Sequence, residues 1–362
     1  MTAWRFEWRD TWTAAWAPEF VAEWERLLSN SPRANVYHLP ALVRAWAETH
    51  GVTIGAQPLF AIATGPRGAR VLCTFVVIEQ QGRCATRRML APAGMSYFGY
   101  HDPLMEGGSP HDVDWAGFWD GVRLSVAGRC DHALVPFVHG SFAGGPLIER
   151  ASDASPVLDL STPGDLDEVL ARCSSNHRRD IKRLLRHSAE EVGPLDLWVA
   201  TPPEAAEALA NLRDRFLPAY RRVWSDSSVG VMLDRPGVGA FVQRVISDGI
   251  VGGWAQYAVL NAGTREVAWH LGLEYRRSCY WWIPTYDVEF RRFSPGRLMI
   301  AMMIERCIRD GITSLHFLTG DHHYKREWRP EPSDLWSVRW HAPSIKGTAL
   351  AWYDNAVRLV NG

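Results

Sequence analysis

The run Ser294-Pro295-Gly296-Arg297 holds the residue types that anion binding uses. Serine suits a helix N-cap and proline the first helical position. The unbonded amides of a helix start, with the positive end of its dipole, attract phosphate and other anions. Gly296 lets a ligand approach the backbone closely, and Arg297 adds a charge-assisted donor. An ordinary helix start uses the same residues, so the motif alone leaves both readings open. Two further residues are candidates for proton transfer. In Arg265–Glu274, apolar Val267, Trp269, Leu271 and Leu273 alternate with Ala268, His270 and Gly272. Small neighbours leave room above His270, the first candidate for a general base, with a hydrogen-bonded core histidine as the alternative. Asp321 follows a predicted strand, where open α/β sheets expose their ligand crevice. A turn aspartate is its alternative. His322 and His323, near His316 and Asp321, match no zinc-ligand spacing, and adjacent residues of an extended segment point to opposite sides. No metal is expected.

These residues need a frame. Ser294 opens a helix that runs through Leu298, Met302, Ile304 and Ile308 to Asp310, where Gly311 ends it. Three strands precede it, at 250–260, 265–274 and 279–286, with Asn261-Ala262-Gly263-Thr264 as a hairpin turn. One strand follows, at 313–318. The last strand of the antiparallel run, the helix and this strand form a βαβ unit, since parallel neighbours need a crossover. Helices are expected at 165–173, 176–192, 203–219 and 236–248. The earlier part of the chain reads as helices at 20–28, 41–47 and 115–127, and as strands at 58–63, 70–79 and 132–138. Trp4, Phe6 and Trp8 alternate as in a strand, while the four-residue spacing through Trp12 and Trp16 fits a helix. A connector near 144–155 divides the chain into 1–155 and 156–362, two domains being the natural division of 362 residues.

The bulk numbers exclude several classes. A net charge of −1, from 39 basic and 40 acidic residues, gives no global attraction to DNA or to a membrane surface. No uncharged apolar run nears the ~20 residues that span a bilayer, so no membrane insertion is expected and the cytoplasm is the default. The six cysteines form no CxxC pair and read as reduced thiols. The helix around Arg178-Arg179-Asp180-Ile181-Lys182-Arg183 is strongly basic. It reads as a solvated face or as a contact for phosphates of a nucleotide, coenzyme A or a tRNA acceptor stem.

Residues 286–328 resemble the CelD/BcsL-like branch of the GNAT acyltransferases, related to the FemABX peptidyltransferases. The matching residues are Tyr286-Asp287, Arg291 to Leu298, Gly311, Phe317 to Asp321, Tyr324-Lys325 and Trp328. Arg291 and Gly296 keep the spacing of the GNAT pyrophosphate loop, with Ser294 at its middle glycine. His316 stands where the branch commonly has an acidic residue. Phe98 to Leu104 resembles the first-half loop in which related enzymes place an acidic residue near the acceptor. The resemblance implies a mixed α/β chain (α+β mixed sheets) of two tandem GNAT-like domains, the first on the acceptor side and the second carrying the donor. It implies acyl transfer from acyl-CoA, such as acetyl-CoA, to an amine or hydroxyl of a small molecule or glycan precursor. Aminoacyl-tRNA is the alternative donor, and a non-catalytic GNAT-like scaffold the third reading. Arg291, Ser294, Gly296, Arg297 and Leu298 would hold the donor. Tyr324 or Tyr286 would protonate the leaving thiolate, and Lys325 would sit near an anionic group. Tyr100 and Asp102 would meet the acceptor, although an Asp before Pro is also a common turn residue.

Overall fold

A computed structural model describes residues 4–81, 86–145, 148–150, 154–225, 231–320, 322–342 and 344–352. The strands in chain order are β1 (Arg5–Arg9), β2 (Gln57–Thr64), β3 (Arg70–Gln81), β4 (Thr86–Pro92), β5 (Leu104–Met105), β6 (His132–His139) and β7 (Ile148–Arg150). They continue as β8 (Val157–Asp159), β9 (Leu195–Val199), β10 (Ala255–Ala262), β11 (Arg265–Tyr275), β12 (Ser278–Tyr286), β13 (Ser314–His316) and β14 (Leu335–His341). The α-helices are α1 (Trp12–Ala15), α2 (Pro18–Asn30), α3 (Pro40–Trp46), α4 (Trp115–Ser125), α5 (Leu166–Arg172) and α6 (Ser175–Glu191), then α7 (Ala205–Asn211), α8 (Leu217–Trp224), α9 (Val238–Val251), α10 (Pro295–Arg309) and α11 (His323–Arg326). None of the described helices is long and apolar enough to cross a membrane.

The fold is mixed α/β in two compact units, each with its own sheet. Both readings of the N-terminal tryptophans hold in part: the alternation lies in β1, and the four-residue spacing begins α1. The first unit's sheet runs β1-β2-β3-β4-β6-β14-β7, with β5 on β3. The expected boundary places everything after residue 155 in one domain, but β14 pairs with β6 and β7. The segment from Asp334 therefore clusters with the first unit, and the second unit is 153–333. Strand pairing across a long sequence separation leaves no local mark, so the boundary could not be read from the chain.

The second unit's sheet runs β8-β13-β12-β11-β10-β9. The expected βαβ crossover is present: β12 and β13 are parallel and α10 joins them. Their pairing spans three residues, ending at Tyr280↔His316. The next amide, Phe317 N–H, donates to the Pro156 carbonyl at 2.9 Å instead. The two strands thus part company beyond Tyr280. β12 also bulges there. Leu271 faces Ile283 and Leu273 faces Tyr280, so Trp281 and Trp282 together oppose Gly272. The bulge sends the two indoles to different neighbours: Trp281 stacks on His270, and Trp282 meets Phe241 of α9 edge-on. Under the sheet, α10 buries Leu298, Met299, Ile300, Met303, Ile304 and Cys307, which accounts for its apolar character. α6 packs Ile181 and Leu184 inward and leaves its arginines outside.

Candidate functional site

A pocket of about 330 Å³ opens in the second unit where β12 and β13 diverge. Its walls come from β12 (Trp281, Thr285, Tyr286), the start of α10 (Ser294, Gly296, Arg297) and the end of α8 (Val223, Trp224). Arg291, Tyr324 and His322 also border it.

The start of α10 differs from an ordinary capped helix. Ser294 lies in the left-handed region, with φ +50°, and its side chain makes no capping bond. That conformation is uncommon for a non-glycine residue and marks local strain. The Ser294 carbonyl accepts from both the Arg297 amide, at 2.9 Å, and the Leu298 amide, at 3.2 Å. Pro295 has no N–H, so the Gly296 amide is the first-turn donor these bonds do not use. A Cβ built on Gly296 would meet nothing within 4 Å. No protein packing requires glycine here, whereas a ligand lying against the helix end would.

The other predicted donor residues divide. The Arg291 side chain is exposed beside the pocket and makes no ion pair among the described residues. Arg297 faces the pocket but is tied down: it donates to His177 Nδ1 at 3.0 Å and pairs with Glu327 at 3.4 Å. Its role is to join α10 to α6 and α11 more than to offer a loose charge. The Leu298 side chain belongs to the core, 1% exposed, so only its backbone stands near the site. Lys325 is buried as well. Its ammonium donates to the carbonyls of Leu318 (3.3 Å) and Thr319 (2.9 Å). Leu318 has φ +59°, so Lys325 braces a strained turn after β13. Asp321 lies outside the described residues.

Of the proton-transfer candidates, Tyr286 and Tyr324 line the pocket. Burial pushes the Tyr324 phenol up to about 12, with the neighbouring Trp281 indole pulling the other way. A phenol so placed stays protonated near neutral pH and is an acid, not a base. His270 is corrected by its surroundings. It is fully buried, its ring stacks on Trp281 with centroids 4.0 Å apart, and it is absent from the pocket wall. The room that Gly272 leaves is taken: a Cβ there would strike His270 at 2.5 Å and Gln256 at 2.7 Å. Burial, with the Arg306 charge adding to it, pushes His270 down to about 3. Neither ring nitrogen has a hydrogen-bond partner among the described residues.

Tyr100 and Asp102 are in the first unit and are buried. Asp102 accepts from the His139 amide at 2.7 Å, and its other oxygen meets His139 Nδ1 at 2.6 Å. Its own carbonyl is hydrogen-bonded to His38 Nε2 at 2.9 Å. Desolvation works against the charged carboxyl, but His139 outweighs it and holds Asp102 below the usual range. Sequence reasoning found the aspartate but missed His139. It also missed Thr285, Trp281 and Trp224 as pocket walls, because only the bulge and the parting of the strands turn them to a cavity. Thr285 is 3% exposed and its hydroxyl has no hydrogen-bond partner among the described residues. Leaving a buried hydroxyl unpaired costs on the order of 1–3 kcal/mol. Among the described residues, no group of three or more His, Cys, Asp or Glu could hold a metal ion.

No curated protein sequence matches the chain. Solved structures of the same fold include FemX, at 10% identity, covering 88% of this chain and 95% of that one with a TM-score of 0.56. The C-terminal DUF2156 domain of an Agrobacterium fabrum protein is 12% identical, with 93% and 96% covered and a TM-score of 0.52. A conserved protein of unknown function from Bacteroides thetaiotaomicron is 10% identical, with 92% and 99% covered and a TM-score of 0.52. The family described as acetyltransferase (GNAT) domain matches residues 175–326, the stretch that contains the whole pocket wall.

Proposed function

We propose that the chain is an acyltransferase that takes its acyl group from acyl-CoA, with acetyl-CoA the simplest donor. The acceptor would be an amine or hydroxyl of a small molecule or a polysaccharide precursor. The observation that carries this reading is the helix end: a leftover Gly296 amide, open space in front of it and the unpaired Arg291 guanidinium beside it. Such a site suits the pyrophosphate of a nucleotide-bearing donor. The apolar cleft running on between Trp224, Trp281, Met299 and Ile300 suits the thin arm that carries the acyl group.

In the reaction, the acceptor nitrogen or oxygen attacks the thioester carbonyl carbon, and the carbon–sulfur bond breaks. The thiolate then takes a proton from Tyr324, which burial keeps protonated. His270 is walled off from this pocket, so the acceptor's proton passes to solvent water and from water restores the Tyr324 phenol, leaving the acylated acceptor and the free thiol.

The basic helix α6 does not by itself favour an aminoacyl-tRNA donor. Lys182, Arg183 and Arg186 are answered by Asp167, Asp180 and Glu190, which reduces the net charge that phosphates would meet. Thermal unfolding with and without ligand tests the reading. Acetyl-CoA at a hundredfold its dissociation constant should add about 2.7 kcal/mol of stability. Stabilisation by charged tRNA alone would replace the donor assignment, and no response to either would leave a binding scaffold.

A further inference from the structure

We infer that the Thr285 hydroxyl hydrogen-bonds the thioester carbonyl of the bound donor, and so reads the acyl end apart from the rest of the molecule. This rests on the acyl-CoA reading of the pocket. Thr285 stands on β12, beyond the point where β13 leaves it, and it is one of the pocket's walls. It is 3% exposed, and its hydroxyl has no hydrogen-bond partner among the described residues. Buried hydroxyls in folded proteins are nearly always bonded, so an unbonded one on a residue that borders a cavity points to a partner that arrives with the ligand, met once a turn about χ1 brings the covered oxygen to the wall.

The pocket's chemistry narrows the partner. Trp281, Pro284, Met299 and Ile300 give the pocket an apolar stretch of wall. A hydroxyl beside such an apolar stretch distinguishes a ligand oxygen from a methylene, since in a dry site one hydrogen bond outweighs generic contact. The Trp281 indole N–H is also buried without a partner among the described residues, but it is fixed on a ring that stacks on His270 and cannot turn toward an acceptor as a hydroxyl can. A hydroxyl rotates to suit its acceptor and can follow the carbonyl oxygen as negative charge grows on it. Thr285 is thus a specificity group for an acylated over a free thiol.

Calorimetric titration of the full chain with acetyl-CoA and with CoA tests this. Wild type should bind acetyl-CoA the more tightly. Thr285→Val, which keeps the shape and deletes the hydroxyl, should weaken acetyl-CoA by about three- to tenfold, the weight of one hydrogen bond. CoA affinity should stay unchanged, and Thr285→Ser should restore the preference. Because the variant loses an unbonded polar group, it should melt no lower than wild type. Equal weakening of both ligands, an unchanged ratio, or a clear fall in melting temperature would each overturn the assignment of Thr285 alone. Failure of wild type to bind either nucleotide would remove the acyl-CoA reading itself, and Thr285 with it.

Discussion

Two buried polar regions, one in each unit, are built in opposite ways. In the first unit, Asp102 is met on both carboxylate oxygens by His139, and its carbonyl by His38. In the second, the Gly296 amide, the Thr285 hydroxyl and both nitrogens of His270 have no partner among the described residues. The first arrangement is satisfied by the fold and stabilises it. In the second, Gly296 faces open space and Thr285 borders the same pocket, whereas His270 lies behind Trp281. Unpaired groups therefore mark a ligand site only where a ligand can reach them, and an unpaired histidine behind an indole marks a packing compromise.

The sharpest way to break this contrast is at the pocket. Gly296→Glu puts a negative side chain into the open space before the helix end. Acetyl-CoA binding should fall by more than about a hundredfold in calorimetry, since repulsion and lost volume act together. The fold should hold, because an acidic residue in the first turn favours the helix dipole. Retained binding would move the donor elsewhere.

Asp102→Ala should do the reverse. It leaves His139 and its amide without their carboxylate and should cost about 3 kcal/mol in denaturant unfolding, the usual loss when one partner of a buried pair is removed. Acetyl-CoA affinity of the folded fraction should be unchanged. A stable variant that fails to bind would put Asp102 in the ligand site instead.

The two histidines also predict pH effects of opposite sign. His270 has its folded pKa depressed to about 3, so the unfolded chain binds its proton more readily. Stability is fully present above the unfolded value of ~6.5 and falls by about 1.4 kcal/mol per pH unit as pH drops from there toward 3. His270→Phe should flatten that acid limb in melting curves. The carboxylate of Asp102 raises His139 against the desolvation that lowers it. Its contribution is fully present below ~6.5 and is lost as pH rises through the raised folded value. Arg33, His38 and His101 also face this cluster, with Arg33 opposing the proton on His139. Asp102→Asn should remove most of that alkaline loss, and an unchanged profile would count against the pair.

The smallest effect should come from Arg291→Ala. An exposed arginine near an anion adds roughly 0.2–1 kcal/mol. Acetyl-CoA affinity should drop about two- to fivefold, and the drop should shrink in high salt.

Local order in the chain foretold much of this. Local pattern gave α2, α4, α6, β11 and β12, and Gly311 after Asp310 ended α10 as expected, while the strand expected from residue 250 begins only at Ala255 because α9 runs on to Val251. Ser294 to Gly296 named the helix end because proline and glycine restrict or free the backbone wherever they occur. What periodicity could not give was direction within the packed unit. The alternation around His270 is real, yet it does not say that Gln256 and Trp281 close over the ring. Arg297 carries its charge in any fold, but only the approach of α6 and α11 commits it to His177 and Glu327. Thr285 reads as any strand threonine until β13 departs and the bulge at Trp281 opens the wall. Backbone propensity and pattern act over a few residues and are written in the chain. Burial, partner choice and the docking of β14 onto β6 depend on segments far apart in sequence, and only tertiary packing brings them together.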